Sequence, residues 1–284
     1  MPNFDNHSLN EFVSMQAARR TGIAVAAAEL TTFPGAENVF VTKRYDRQRT
    51  NGRLNRIHQE DMAQALSVPP AMKYQRDDGG PGVADIAGII QRFPLLEDRQ
   101  NSARTFFDAL VFNAAIHGTD AHAKNYSVLI TSGRLQLAPL YDVASNLPYN
   151  ETTTDLPSSK SAMRIGNTYT FDSIGESDWI KTGAKLRIPA DESVERFQRV
   201  SASAIEAIYN IAEATDQPQG VRAYALRLAE QVEKVSTDRG RAGRRPVENP
   251  KLTQADNDQV WVSAHTRGGL PIDGHFRKNP TQIR

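Results

Sequence analysis

Three side chains, Asp120, Asn125 and Asp142, have the types and spacing that phosphoryl transfer demands. Asp120 precedes Asn125 by five residues, and Asp142 follows seventeen further on, after a short apolar hairpin. Transfer from ATP calls for hard oxygen ligands, a carboxylate and an amide carbonyl, around the magnesium that bridges the phosphates. A further carboxylate must accept or orient the proton of the attacking hydroxyl. The Asp-to-Asn separation is that of the H-R-D-x-x-x-x-N catalytic loop, so Asp120 stands as the base and Asn125 and Asp142 as metal ligands. Lys124 is placed to meet a phosphate. A pair five residues apart is weak alone, and a purely structural loop stays equally open on spacing. Weight comes from the conjunction: a long helix, then His117-Gly118-Thr119-Asp120-Ala121-His122-Ala123-Lys124-Asn125, an apolar hairpin and Leu140-Tyr141-Asp142. A rival reading has His117, Asp120 and His122 ligate zinc or manganese in a metal-dependent phosphohydrolase. It lacks a second cluster, because His58, His265 and His275 have no supporting spacing.

The positioning elements follow from periodicity and punctuation. Ser8-Leu9-Asn10-Glu11 has capping-box spacing and predicts a helix to about Arg20, ended by Gly22. Val25–Leu30 and Val39–Thr42, around Pro34-Gly35-Ala36-Glu37-Asn38, predict two antiparallel strands. Asn51-Gly52 marks a turn. Gln59–Leu66 and Val83–Phe93 predict helices on either side of the loop Asp77-Asp78-Gly79-Gly80-Pro81-Gly82. Acids at Gln59-Glu60-Asp61 then suit a helix N-terminus, and the glycine run is a tight connection more readily than an anion-binding nest. From Asp98 to His117, Phe106, Phe107, Leu110, Val111, Ala114 and Ala115 line one face of a long helix that Gly118 stops. Tyr126–Thr131 and Leu135–Leu137 flank Ser132-Gly133 as a hairpin. Helices over Asp191–Ala212 and Pro218–Val235 follow, the second with proline in its first turn. Trp179 reads as a packing residue.

Composition narrows the classes. The 284 residues are 39% hydrophobic and 24% charged, with net charge +1, which allows a sizeable core and gives no global pull toward nucleic acid or an anionic membrane. Absence of cysteine excludes disulfides, thiolate nucleophiles and cysteine-held zinc. No stretch approaches the roughly 18 apolar residues of a membrane span, and Met1–Phe12 has no signal pattern, so a cytoplasmic location is expected. The segment from about Thr237 is expected to be loose, with Val260-Trp261-Val262 as its anchor. Its Arg239, Arg241, Arg244 and Arg245 read as a solvated basic run rather than a DNA contact.

Beyond spacing, Gly118–Ser127 and Pro139-Leu140-Tyr141-Asp142-Val143-Ala144-Ser145 closely resemble the catalytic segments of HipA-type toxin kinases. Asn10-Glu11-Phe12, Arg44-Tyr45-Asp46-Arg47, Gln59-Glu60-Asp61-Met62, Lys73-Tyr74 and Gly79-Gly80-Pro81-Gly82 resemble that family in the same order. The resemblance covers about Leu9 to Gly166. It implies an α+β, protein-kinase-like fold: a partial small lobe with strands over residues 1–50, a mainly helical C-lobe over 51–236, and a tail over 237–284. It implies a serine/threonine protein kinase of a toxin–antitoxin system that uses ATP and Mg2+. Asp120 would be the base. Lys43, Arg44 and Tyr45 would form the hinge beside the adenine, and Tyr141 would also contact the nucleotide. His122, Ala123, Lys124 and Asn125 would line the phosphates, with Asn125 and Asp142 on the metal. Glu11 would lie on the helix that supports the phosphate-binding lysine. Implied partners are a protein substrate such as an aminoacyl-tRNA synthetase and a helix-turn-helix antitoxin, with DNA reached only through the latter and no membrane.

The departure is at the front. The family's glycine-rich phosphate loop and strand lysine precede the segment matching Asn10-Glu11, yet nine residues precede Asn10 here and the first lysine is Lys43. Two alternatives to a self-sufficient kinase therefore stand beside the hydrolase: an inactive binding module that docks an antitoxin, or one half of a kinase completed by a separately encoded N-terminal chain.

Overall fold

The structure, a computed structural model, describes residues 5–33, 38–149, 159–215 and 217–242, with four short strands between 259 and 278. It divides into two units, Met1–Gly240 and Arg241–Arg284. The first is mixed: small antiparallel sheets, then a helical body.

Helix α1 (His7–Arg20) buries Leu9, Phe12, Val13 and Met15. It closes with paired bonds from Gly22 N to Arg19 O and Ile23 N to Ala18 O, with Gly22 at φ 89°, a backbone only glycine takes without strain. The expected capping box at Ser8 is not formed. The helix begins earlier, at His7, with Asn6 at the cap position and no side-chain cap bond, so Ser8 lies inside the first turn where it cannot cap. Strand β1 (Ala28–Thr32) starts later than expected and pairs antiparallel with β2 (Asn38–Thr42), Leu30 opposite Phe40. Val25 instead bridges in parallel to Leu140. Of the connecting loop, residues 34–37 lie outside the described residues.

Strands β3 (Arg47–Thr50) and β4 (Arg53–Arg56) are joined by Asn51-Gly52. Both turn residues have positive φ, 51° and 77°, the backbone that matches strand twist in a two-residue hairpin. Gln59–Asp61 is not helical, contrary to expectation. It belongs to β5 (His58–Asp61), paired with β6 (Ser127–Thr131), which pairs with β7 (Arg134–Leu137). A strand partner far along the chain overrides local helical character. Only Asp61 acts as a helix cap. It accepts from Gln64 N at 2.8 Å, and Gln64 Oε1 returns to Asp61 N at 3.0 Å, opening the short α2 (Met62–Ala65). One turn, α3 (Gln75–Asp78), takes in the first two residues of the expected loop before α4 (Val83–Ile90).

The central helix α5 (Leu96–Ala115) buries Phe106, Phe107 and Phe112 completely. Residues 160–185, which periodicity did not mark, form the hairpin β8 (Lys160–Ile165) and β9 (Thr168–Thr170), then α6 (Glu176–Lys185). Trp179 of α6 is buried between Phe107 and Phe197, with ring centroids at 5.6 and 5.7 Å. Helix α7 (Ala190–Glu213) is tied to α5 by ion pairs from Arg104 to Glu192 at 2.6 Å and from Arg196 to Asp108 at 2.9 Å. Helix α8 (Val221–Ala242) starts after Pro218, whose carbonyl accepts from Val221 N, so the proline precedes the helix rather than opening it. No helix among the described residues is long and apolar enough to cross a membrane.

In the second unit, β10 (Gln259–Val262) pairs with β13 (His275–Lys278), and β11 (His265–Arg267) with β12 (Leu270–Ile272). Of the segment expected to be loose, Thr237 to Ala242 instead continues α8; what remains beyond the four strands, Arg244 and Arg245 included, lies outside the described residues.

Candidate active site

The loop carrying Asp120 is launched from the end of α5. Ile116 is the cap, and His117 takes the left-handed position at φ 52°, so His117 stops the helix rather than Gly118. Gly118 is needed for closeness: its amide donates to Asn113 O at 2.7 Å, and a Cβ would stand 2.5 Å from Asn113 Oδ1. Beyond it, Asp120 O accepts from His122 N at 2.8 Å and from Asn125 Nδ2 at 2.9 Å. Asn125 is buried, so this bond fixes its amide close to the backbone of Asp120. Ala123–Asn125 is one turn of 3-10 helix.

The Asp142 segment is held from three sides. Leu140 exchanges backbone bonds with Ala24 and Ala26 at 2.8 and 2.9 Å. Tyr141 Oη donates to Lys124 O at 2.8 Å and lies 2.6 Å from Ser127 Oγ. After Asp142, at φ 58°, Ser145 is clamped by Asn10. The Asn10 amide donates to Ser145 O at 2.7 Å and accepts from Ser145 N at 2.9 Å. Ser145 Oγ donates to Ile116 O at 2.5 Å, and Asn146 N to His117 O at 3.1 Å. One buried Asn thus ties α1 to the Asp142 segment, and Ser145 ties that segment to the end of α5. Asn10 was not assigned this role from sequence. Its signal was an amide among apolar neighbours on the inner face of α1, which must be hydrogen-bonded if buried.

Two cavities meet at Asp142. One, of about 420 Å³, is lined by Glu11, Thr42, Lys43, Arg44, Tyr45 and Asp46 on one side and Gln59, Asp61, Gln64, Ser127, Tyr141 and Asp142 on the other. The second, of about 560 Å³, is lined by His7, Asn113, Thr119, Asp120, Ala121, Asp142, Ala144, Ser145, Asn146 and Tyr149. Both sizes suit small-ligand sites. The structure therefore brings Lys43, Arg44, Tyr45, Tyr141 and Asp142 together around one cavity, and Asp120 and Asp142 around the other. His122, Ala123, Lys124 and Asn125 line neither. His122 and Ala123 are buried beneath the loop, and Lys124 reaches Asp61 at 3.5 Å.

Electrostatics concentrate here. Burial, then the Asp142 charge, pushes the Glu11 carboxyl up to about 7. Burial and Asp120 raise Asp142, while His122, His7 and Lys73 pull it down. Burial lowers His122. Carboxylates from Glu11, Asp120 and Asp142 thus face the two cavities, oxygen donors of the kind a hard divalent ion takes. The hydrolase ligand set does not assemble. The His117 ring stacks on Phe171 at 4.8 Å, with Nε2 3.8 Å from Asp172, and among the described residues no three His, Asp or Glu side chains converge on a metal.

The family described as the HipA-like C-terminal domain matches residues 2–208. Y4mE of Sinorhizobium fredii is 32% identical over 213 residues, 75% of this chain and 49% of that protein. The serine/threonine-protein kinase toxin HipA of Shewanella oneidensis is 28% identical over 212 residues, 72% of this chain and 48% of that protein. The chain spans about half the length of these curated relatives. Among solved structures, Shewanella oneidensis HipA with HipB and operator DNA superposes with a TM-score of 0.67 at 22% identity, over 84% of this chain and 59% of that one. The Helicobacter pylori proinflammatory kinase CtkA superposes with a TM-score of 0.50 at 14% identity, over 84% and 87%. At these identities the likeness establishes a kinase-like fold with a helical C-terminal part.

Proposed function

The chain belongs to the HipA-like C-terminal domain family, and from that premise we propose that it is the catalytic region of a serine/threonine protein kinase of the toxin–antitoxin kind. The observation that carries the reading is Asp142 as the shared wall of two cavities, one bounded by Lys43–Tyr45 and the other by Asp120. The first takes the nucleotide and the second the acceptor side chain. Lys43, Arg44 and Tyr45 bind the adenine edge, mainly through backbone groups, and the Tyr45 ring packs on Tyr141 at 5.9 Å. Asn125 and Asp142 supply oxygen ligands to magnesium. The loop His122–Asn125 lines neither cavity, so its backbone groups would meet only phosphates that extend past Asp142 toward Asp120. Magnesium–ATP, when bound, supplies the transferable phosphoryl group and the charge that neutralises its oxygens. Asp120 orients the acceptor hydroxyl and takes its proton at a carboxylate oxygen.

Glu11 bears on how complete this machinery is. Its carboxyl is raised by burial beside Asp142, and among the described residues it has no ion-pair partner. As the family resemblance implies, Glu11 would support the phosphate-binding lysine that a separately encoded N-terminal chain would supply. Residues 1–50 then form part of a small lobe, 51–236 the C-lobe and 237–284 an appended tail. The partners proposed are a helix-turn-helix antitoxin and a protein acceptor such as an aminoacyl-tRNA synthetase, met in the cytoplasm.

The test is labelled-phosphate transfer from ATP to serine or threonine, with and without a supplied N-terminal kinase half. Magnesium-dependent transfer should appear with that half and vanish in Asp120→Gln and Asp142→Gln. Activity surviving both substitutions overturns the assignment. Antitoxin binding with no transfer under either condition leaves a binding module.

A further inference from the structure

Two motifs have no part in the mechanism so far: Lys73-Tyr74 and Gly79-Gly80-Pro81-Gly82. Resting on the phosphotransferase reading, we propose that they form one device, a strap that presents the Tyr74 hydroxyl to Asp120 and makes Tyr74 a positioning residue for the base. Asp120 needs such a restraint. Its side chain is 58% exposed, and a base must be held to a fraction of an ångström to act. Tyr74 Oη donates to Asp120 Oδ1. His122 Nε2 stands 3.7 Å from that same oxygen. Both neighbours therefore address Oδ1 and leave Oδ2 for the acceptor proton.

Tyr74 is itself fixed. Its ring meets His122 edge-on at 5.0 Å, and Lys73 Nζ lies 4.9 Å over its face, a favourable cation–π arrangement. Its amide donates to Asp78 Oδ2 at 3.2 Å, and its carbonyl accepts from Asp78 N at 3.1 Å and Gly80 N at 3.0 Å. The glycines permit this turn. Gly79 has φ 68°, and a Cβ on Gly80 would strike Met72 O. A Cβ on Gly82 would strike the Gln75 side chain, whose Oε1 accepts from Arg164 N of β8 at 2.8 Å. Part-burial, then the carboxylates Asp120, Asp78 and Asp77, push the Tyr74 phenol far above its usual range, so it remains a donor at every working pH.

Two measurements on the full chain, completed as above for turnover, test the proposal. Tyr74→Phe keeps the ring and removes the hydroxyl. It should lower kcat about tenfold, the worth of one hydrogen bond to a charged group. KM for ATP and the thermal midpoint should stay unchanged. Tyr74→Ala should fall little further. Independently of turnover, carbodiimide labelling read by peptide mass spectrometry should mark Asp120 several-fold faster in Tyr74→Phe, with Asp142 unchanged. Unaltered kcat with unaltered labelling overturns the proposal, and so does a loss confined to KM for ATP. If the wild type transfers no phosphate but the labelling of Asp120 still changes, the kinase reading fails and the positioning role stands.

Discussion

Acids in the helical scaffold and acids in the cleft of this molecule are driven in opposite directions. Glu192 sits between Arg104 and Arg196, at 2.6 and 2.8 Å, and these guanidiniums hold its carboxyl down to about 2. Asp98 of α5, buried beside Arg134 at 2.5 Å, is likewise held below its usual range, first by the Arg134 hydrogen bond. Glu11 is pushed up to about 7, and Asp142 is raised as well. The chemical group is the same; the neighbours differ. Scaffold carboxylates have their cations built in, whereas the cleft holds two acids that repel each other, an arrangement that disfavours the empty state and favours a bound cation. An unpaired, part-buried acid is thus a better pointer to a site than any spacing.

This contrast can be broken by substitution. Asp142→Asn should abolish transfer on the order of a thousandfold, by removing an anchor for the metal. Asp120→Asn should cost on the order of a hundredfold or more in kcat, with nucleotide affinity retained. Steady-state kinetics separate the two. Glu192→Gln should leave kcat untouched yet destabilise the fold by about 1–2 kcal/mol, read by urea unfolding at neutral pH. Because the folded carboxyl titrates below its ordinary 4.5, this contribution is present above about 4.5 and lost as pH falls toward 2. Glu11→Gln should do the reverse on a smaller scale, stabilising the magnesium-free chain by about 1 kcal/mol or less after solvent screening. A carboxyl raised from 4.5 to about 7 costs nothing below 4.5 and most above 7, so the gain should grow across that window. A melting series from pH 4 to 8 measures it.

Much of the positioning framework was legible because its signals are local. Asn51-Gly52 marked its hairpin, the apolar face of Phe106, Phe107 and Leu110 marked α5, and Ser132-Gly133 marked the β6–β7 turn. What failed was long-range. Gln59–Asp61 is a strand because β6 lies beside it, a partner nearly seventy residues away. Glycine, the usual left-handed residue, predicts the end of α5 at Gly118, yet His117 takes that backbone, with its ring stacked on Phe171. The same limit applies to the site. Asp120, Asn125 and Asp142 stand out through type and order, while the Asn10 clamp on Ser145 and the Tyr74 contact to Asp120 join residues distant in the chain.

In the proposed kinase, Asp142, and not Asp120, anchors the magnesium that accompanies ATP between the two cavities. Calorimetric titration of a non-hydrolysable ATP analogue into the full chain, with and without magnesium, addresses this without requiring turnover. Magnesium should tighten binding in the wild type and in Asp120→Asn but not in Asp142→Asn. Equal magnesium dependence in wild type and Asp142→Asn would contradict the account.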